Sequence, residues 1–509
     1  MLTVYSPQSR LAEREYIYRV VLGEFMGLAY NVVYEERTET ELRLASDSSD
    51  DLFAGAKLHM PDILLQTPDS LWLTPSSLPR RPLDRFQPPG AEDAPLMPVI
   101  YGRPGGTGQY IESEQDGIYL GIDIFGSSLF MLARYEELVT RDRDRLDRFP
   151  AKQSLAYLES FLHRPIINEY VELLWQLMKQ LWPELRRRLR EPNIRISHDV
   201  DFPYYVYRRS RLRMVRDILM DLFRRRDVES SWKKAKMLYK ARRNLAWDPY
   251  NTFSWLMDLS EQAGIRSAFY FITEETKPGI DGNYAIDDPV IQQLLREIHA
   301  RGHEIGLHPS YNTYLNPARI RSQFKKLKKI AGANGITQQS WGGRQHYLRW
   351  RAPDTWQFWE DAGLQYDSTL TFADRAGFRC GVCYEYPVFN LRTGQALALR
   401  ERPLLVMDQT ILHPEYMGLT HEQAYETIRH FYIECMKYRG DFTLLWHNSQ
   451  LLKSSERDVY RKCLEMLGQR TRGSLSRGNE PERRGLNLEQ EGRGNSLENC
   501  LSNPLERRA

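Results

Sequence analysis

Asp199 and Asp201 stand two residues apart at the end of the apolar run Ile194-Arg195-Ile196, with His198 directly before them. In an extended strand alternate side chains share a face, so both carboxylates can enter one site while Val200 packs behind. One can bind a cation and the other can deprotonate water, the two functions a metal-assisted hydrolase needs. A second segment, Gly302 to Asn312, reads as an alternating strand ending in His308-Pro309. Alternation puts Glu304, Gly306 and His308 on one face and His303 on the other, so His303 reads as a hydrogen-bonded structural residue and not as a joint ligand with His308. Pro309 suits the first turn of a helix, where its missing N–H costs nothing. Residues 308 and 312 are then one turn apart on a common side, which makes Asn312 the companion of His308.

Two further segments carry reactive groups. Gly343 to Pro353 gathers Arg344, Arg349 and Arg351 with His346 and several aromatics around an expected strand end, where a guanidinium can orient a catalytic carboxylate. Leu444-Leu445-Trp446-His447-Asn448 is an apolar strand that delivers His447 beside Trp446, a general acid next to a ring on which a sugar can stack.

The elements that must position these groups follow from periodicity. Strands are expected at 194–197, 267–272, 303–308, 347–350, 404–407 and 442–446, with helices near 290–300, 318–331, 355–362 and 422–438 between them. This is the alternation of an α/β protein built on a parallel sheet or barrel, and it sets every candidate residue at the carboxyl end of a strand. Residues 1–140 mix an amphipathic helix (Leu11, Ile17, Val20, Val21, Phe25) with strand-like runs at 31–34, 62–66 and 118–124, and read as a small α/β domain of unassigned role. Connecting helices span 141–190. Residues 205–245 form a basic insertion in which fourteen Lys or Arg face four acids. Leu212, Val215, Ile218, Leu219 and Leu222 make it amphipathic. The expectation is a helix packed by that stripe, and the alternative is peripheral contact with an anionic membrane or an acidic glycan. Beyond Gly468 aromatics vanish, and 469–509 is expected to be a disordered tail.

The four reactive segments, in this order, resemble the polysaccharide deacetylase superfamily over about residues 191–468. The resemblance implies a deformed (β/α) barrel that removes acetyl groups from N-acetylated or O-acetylated sugars with a divalent metal, zinc first, then cobalt, nickel or manganese. It matches Asp199 and Asp201 to an aspartate base and an aspartate ligand, and His308 and Asn312 to a pair of ligand histidines four residues apart. Arg351-Ala352-Pro353 matches an Arg-x-Pro segment, with Arg349 also well placed to orient the base. Leu445-Trp446-His447 matches a Leu-x-His segment whose His protonates the leaving amine. Asp367, in Tyr366-Asp367-Ser368-Thr369, matches a supporting position; His198, His303, His346 and Trp446 complete the supporting set. The chain departs from the pattern in spacing its aspartates by Val200 and in carrying the neutral donor Asn312, which His198 would compensate. The amino-terminal region and the insertion look like the arrangement of deacetylase-like proteins that bacteria encode with cell-surface glycan genes.

Composition bounds these expectations. A chain of 509 residues with 41% apolar and 12% aromatic content supports more than one core, and a net charge of +3 gives no footprint for nucleic acid. Five cysteines fit a reducing compartment, Cys380 and Cys383 being the one close pair, and the first residues lack a secretory pattern. The expectation is a cytoplasmic, metal-dependent carbohydrate deacetylase. Its rivals are a degenerate glycan-binding module, holding sugar through Trp446, Trp350, Trp356 and Tyr311, and a hydrolase of a non-sugar amide.

Overall fold

The structure is a computed structural model that describes residues 1–45, 55–90, 94–224 and 226–475. Its first sheet has six strands in the order Tyr30–Tyr34, Leu2–Ser6, Glu39–Leu44, Lys57–Pro61, Gly117–Leu120 and Ile111–Glu114, with parallel and antiparallel neighbours mixed. The run from Leu11 to Phe25 is helical throughout, α-helical to Tyr18 and π-helical from Arg19, and it buries Ile17, Val20, Val21 and Phe25. The strand expected at 62–66 lies five residues earlier. In Lys57-Leu58-His59-Met60 partly exposed and buried side chains alternate, the period of a half-buried strand, whereas Leu64–Gln66 is a 3-10 turn.

The second sheet has nine strands in the order Tyr386–Asn390, Gln395–Glu401, Tyr366–Asp367, Gly342–Gly343, Glu304–Leu307, Ser267–Phe271, Ile194–Val200, Phe442–Leu445 and Val406–Met407. Every neighbouring pair is parallel except the first. Helices at Phe253–Gln262, Pro289–Ala300, Pro317–Ala333, Asp354–Ala362 and His421–Lys437 alternate with the strands, as crossover connections between parallel strands require. Strand pairing does not close the expected barrel: Tyr386–Asn390 and Val406–Met407 are the two edges among the described residues. Beside the Val406–Met407 edge the Leu404 amide donates to the Leu370 carbonyl, just beyond Tyr366–Asp367, at 3.2 Å.

The strand expected at 347–350 is also displaced. The pairing segment is Gly342–Gly343, and His346–Leu348 is a 3-10 turn in which Tyr347 and Leu348 take φ of 60° and 56°. Two glycines carry no apolar signal, yet at Gly343 a Cβ would collide with the Leu307 carbonyl across the pair. This turn redirects the chain and moves His346 into the site.

Arg211–Phe223 and Val228–Arg243 form a helical hairpin between the first two parallel strands in sequence. Its expected packing is inverted. Leu212, Val215, Leu219 and Leu222 face solvent, while Asp221 and Lys234 pair at 2.6 Å between the helices with 2% and 6% side-chain exposure. The carboxy-terminal helix runs from Ser454 to Leu475, past the boundary expected at 468; residues 476–509 of the expected tail lie outside the described residues.

A buried charge network joins the segment after the first sheet to the second. Arg134 donates to Glu136 and Glu137 at 2.8 and 2.9 Å and to the Arg379 carbonyl at 2.5 Å, while Arg379 donates to Glu137 at 2.7 and 3.0 Å.

Candidate metal centre and active site

All the reactive groups named below lie at or just beyond the carboxyl ends of the parallel strands, where successive crossovers leave the strand ends free of the helices that cover the faces. Ile194–Val200 delivers Asp199 and, one residue on, Asp201; Glu304–Leu307 delivers His308; Gly342–Gly343 delivers Arg344 and His346; Val406–Met407 delivers Asp408; Phe442–Leu445 delivers His447.

Asp201 Oδ1 lies 3.2 Å from His308 Nε2 and 3.4 Å from His346 Nε2, and these three donor atoms lie within 4.8 Å of one another. The tautomers follow from the outer hydrogen bonds. His308 Nδ1 meets the Arg344 carbonyl at 2.6 Å and His346 Nδ1 meets Asp281 at 2.8 Å; both partners only accept, so each Nδ1 carries the proton and each Nε2 turns a lone pair on Asp201. With both Nε2 atoms unprotonated, Asp201 Oδ1 has no hydrogen-bond donor among the described residues. Three acceptors facing one another in a buried pocket are reconciled by a cation, and two imidazoles with one carboxylate make a common set for a divalent metal with an open position. The residues present therefore fit such an ion.

Burial would raise the Asp201 carboxyl, but His346, His308 and His447 in their protonated forms outweigh it and hold it well below the usual carboxylate range; with the two Nε2 atoms unprotonated, a bound cation would supply that positive charge instead. Asp281 is buried too. Hydrogen bonds from His346, the Tyr311 amide and Thr276 outweigh that burial and hold it down to about 2. An ionised Asp281 is what fixes the His346 ring.

Asp199 is the second carboxylate. Arg344 donates to its Oδ1 at 2.8 Å and is itself clamped by Ser197 Oγ at 3.0 Å and the Ser368 carbonyl at 2.8 Å. On the other side His447 Nε2 is 3.8 Å from Asp201 Oδ2, and its Nδ1 donates to Asp408 at 2.8 Å. Burial opposes a charge on His447; Asp408, with Asp201 and Asp199, overrides it and raises the imidazole to about 9.

The expected residues are therefore sorted by the fold. Asp199, Asp201, His308 and His447 come together, and His346, expected only in support, joins Asp201 and His308. Asn312 does not: it is exposed and its side chain donates to the Thr276 carbonyl at 3.2 Å. A loop and not a helix follows Pro309, so the one-turn spacing between 308 and 312 is lost. Arg349 and Arg351 do not reach Asp199 either. Arg349 binds the Leu146 and Tyr311 carbonyls at 2.9 and 2.7 Å, and Arg351 binds Asp147, so both tie the segment before residue 150 to the turn that carries His346. Arg344 is the one of the three arginines that donates to Asp199.

His198 points to the opposite face. It contacts the Trp446 carbonyl at 2.7 Å through Nδ1 and stacks on Phe269, and burial lowers it to about 3, so it stays neutral. His303 accepts from the Ser267 amide at 3.1 Å beside Glu261, away from the site. Asp367 is buried against Thr369. Trp446, Trp350 and Trp356 are at most 1% exposed and belong to the core, so they offer no ring to a sugar. Beside the cluster Tyr347 meets solvent, 39% exposed, with its ring centroid 4.7 Å from that of His346 and 5.4 Å from that of Tyr311. Asp281 and Asp408 escaped the sequence reading altogether. Each lies on a segment without a chemical pattern, and only contact with a histidine gives it a role.

Residues 2–183 match a family of unknown function, DUF7033. No curated protein matches the chain. Several polysaccharide deacetylases are among the solved structures similar to it. A Mycobacterium smegmatis protein provisionally described as a polysaccharide deacetylase matches at 15% identity over 59% of this chain and 96% of its own, with a TM-score of 0.35. Puue allantoinase matches at 11% over 55% and 84%, with a TM-score of 0.33. The chitin deacetylase of the fungal pathogen Colletotrichum lindemuthianum matches at 13% over 55% and 86%, with a TM-score of 0.27. Nothing about substrate or mechanism passes from them to this chain.

The outer carboxylates give a first expected result. Asp281→Asn should weaken divalent-metal affinity about 10- to 100-fold by loosening His346, read by competition with a chromophoric chelator.

Proposed function

We propose that the chain is a metal-dependent hydrolase that removes acetyl groups from an N-acetylated carbohydrate, yielding acetate and a free amine. The observation that carries this reading is the convergence of an Asp201–His308–His346 cluster with an Arg344-held carboxylate on one side and an Asp408-held imidazole on the other. A divalent cation in that cluster supplies Lewis acidity to the acetyl carbonyl and acidity to a water.

The protein's own residues then divide the proton work. Asp199, kept in place by Arg344, accepts a proton from the attacking water as its oxygen bonds to the carbonyl carbon. The clamp from Ser197 and Ser368 keeps the guanidinium from following the substrate. His447 Nε2 gives its proton to the nitrogen as the C–N bond breaks, and Asp408 supports the imidazolium until then. Tyr347 presents an exposed ring at the rim, a surface on which the apolar face of a sugar can stack. The same proton work serves a non-sugar amide, so the choice of sugar rests on Tyr347 and on the sequence resemblance. The glycan-binding alternative loses support because its three tryptophans are buried.

The test is acetate release from N-acetylated oligosaccharides, from O-acetylated ones and from small amides, with and without added zinc, cobalt, nickel or manganese. Metal-dependent acetate release from an N-acetyl sugar is the expected result; turnover confined to non-sugar amides would replace the substrate class, and no turnover by a metal-loaded protein on any of them would count against the hydrolase. Asp408→Asn adds a sign. Without the carboxylate the His447 imidazole loses its proton at lower pH, so the descending alkaline limb of the activity profile should move to lower pH than in the parent.

A further inference from the structure

We infer that the helical hairpin Arg211–Phe223 and Val228–Arg243 docks the protein on the surface of a bilayer containing anionic phospholipid. In a helix that rests on its own protein the apolar stripe is covered and the charges face water. Here the order is reversed. Leu212 is 86% exposed, Phe223 75%, Val228 63% and Trp232 67%, and Val215, Leu219 and Leu222 extend the same stripe. At 100° per residue the positions 212, 215, 219, 222 and 223 fall on one side of the first helix, with Arg211 and Arg216 flanking them and the buried Met214 and Asp221 opposite.

The hairpin is nevertheless a built structure and not a loose flap. Ser210 and Asp227 cap the two helices, and Tyr205, Met214 and Ala241 form a small core under them. The Asp221–Lys234 pair occupies the space an apolar contact would normally fill. The apolar residues are left for another occupant.

Charge selects that occupant. Arg208, Arg209, Arg213 and Arg216, with Asp217 and Glu275, line a cavity of about 580 Å³ that reaches Asp281 and Tyr284 beside the site. Arg208 and Arg209 have acidic partners, Asp288 and Asp217, both at 2.8 Å; among the described residues Arg213 and Arg216 have none. An acidic glycan would satisfy these guanidiniums but offers no apolar medium for Phe223 and Leu212, whereas a bilayer interface with phosphate headgroups satisfies both. No described helix is long and apolar enough to cross a membrane, so the contact lies in the plane of the surface. The hairpin begins ten residues after Asp201, so docking would set the mouth of the site near the headgroups. This inference is independent of the hydrolytic chemistry.

The experiment is co-sedimentation of the full chain with vesicles of phosphatidylcholine alone and of phosphatidylcholine mixed with phosphatidylglycerol, at low and high salt. Binding is expected only with phosphatidylglycerol and should weaken as salt rises. Arg213→Ala with Arg216→Ala should lower the partition coefficient roughly 30-fold at low salt, and Leu219→Asp with Phe223→Asp more than about tenfold. All four positions are partly or fully exposed, so unchanged far-ultraviolet circular dichroism and melting should accompany each loss. Failure of the parent to sediment with anionic vesicles, equal binding by both variants, preference for an acidic polysaccharide, or a stripe-dependent dimer in sedimentation equilibrium would each overturn the proposal.

Discussion

His447→Ala should slow acetate release on the order of 10²- to 10⁴-fold while leaving metal content unchanged. In the proposed reaction this imidazole protonates the departing nitrogen: its Nδ1 is fixed on Asp408 at 2.8 Å, so its Nε2 faces the site. It stands outside the cluster of Asp201, His308 and His346. Loss of the acid should therefore be felt least by substrates whose leaving group needs no proton. An activated aryl acetate, with a leaving oxygen of low basicity, should lose far less turnover than an N-acetyl amine. Equal losses on both substrates, with metal retained, would assign His447 to structure and not to proton transfer.

Glu137→Ala should destabilise the protein by about 3–5 kcal/mol, because it removes the carboxylate that two buried guanidiniums share and leaves that of Arg379 with no acid partner. Arg134 is wholly buried and Arg379 is 2% exposed, and both donate to Glu137. Arg134 keeps Glu136, but Arg379 keeps only the Thr371 carbonyl. The surface pair Arg145–Glu415, at 3.4 Å with 80% and 68% side-chain exposure, gives the contrast. Glu415→Ala there should leave the urea midpoint unchanged within error. A Glu137→Ala midpoint equal to that of the parent would show that the interior around Arg379 admits water or rearranges.

Residues that act within one short segment were legible in the sequence; residues that act by contact between segments were not. Asp199, Asp201, His308 and His447 each end an apolar strand, and period-two alternation puts the two aspartates on a common face and His308 on the face away from His303. Alternation also separates His303 from His308, and the structure places His303 beside Ser267 and Glu261. Pro309 predicts a helix that would bring Asn312 beside His308, whereas the chain runs as a loop there and Asn312 turns to Thr276. Its place is taken by His346, brought in by a strand of two glycines and a turn with two residues at positive φ, neither of which has an apolar signature. Among three nearby arginines, spacing could not single out Arg344; only its place directly after Gly343 lets it reach across to Asp199. The basic insertion was legible as an amphipathic helix. Which side it buries was not, because the pairing of Asp221 with Lys234 depends on a second helix thirteen residues away.

The most direct test of the metal centre is elemental analysis of the protein reloaded with zinc, cobalt, nickel or manganese, comparing the parent with Asp201→Ala, His308→Ala, His346→Ala and Asn312→Ala. Near-stoichiometric metal in the parent and in Asn312→Ala, lost in the other three, is the expected result. Metal retained by His346→Ala but lost from Asn312→Ala, or a parent that binds none of the four ions, would contradict it.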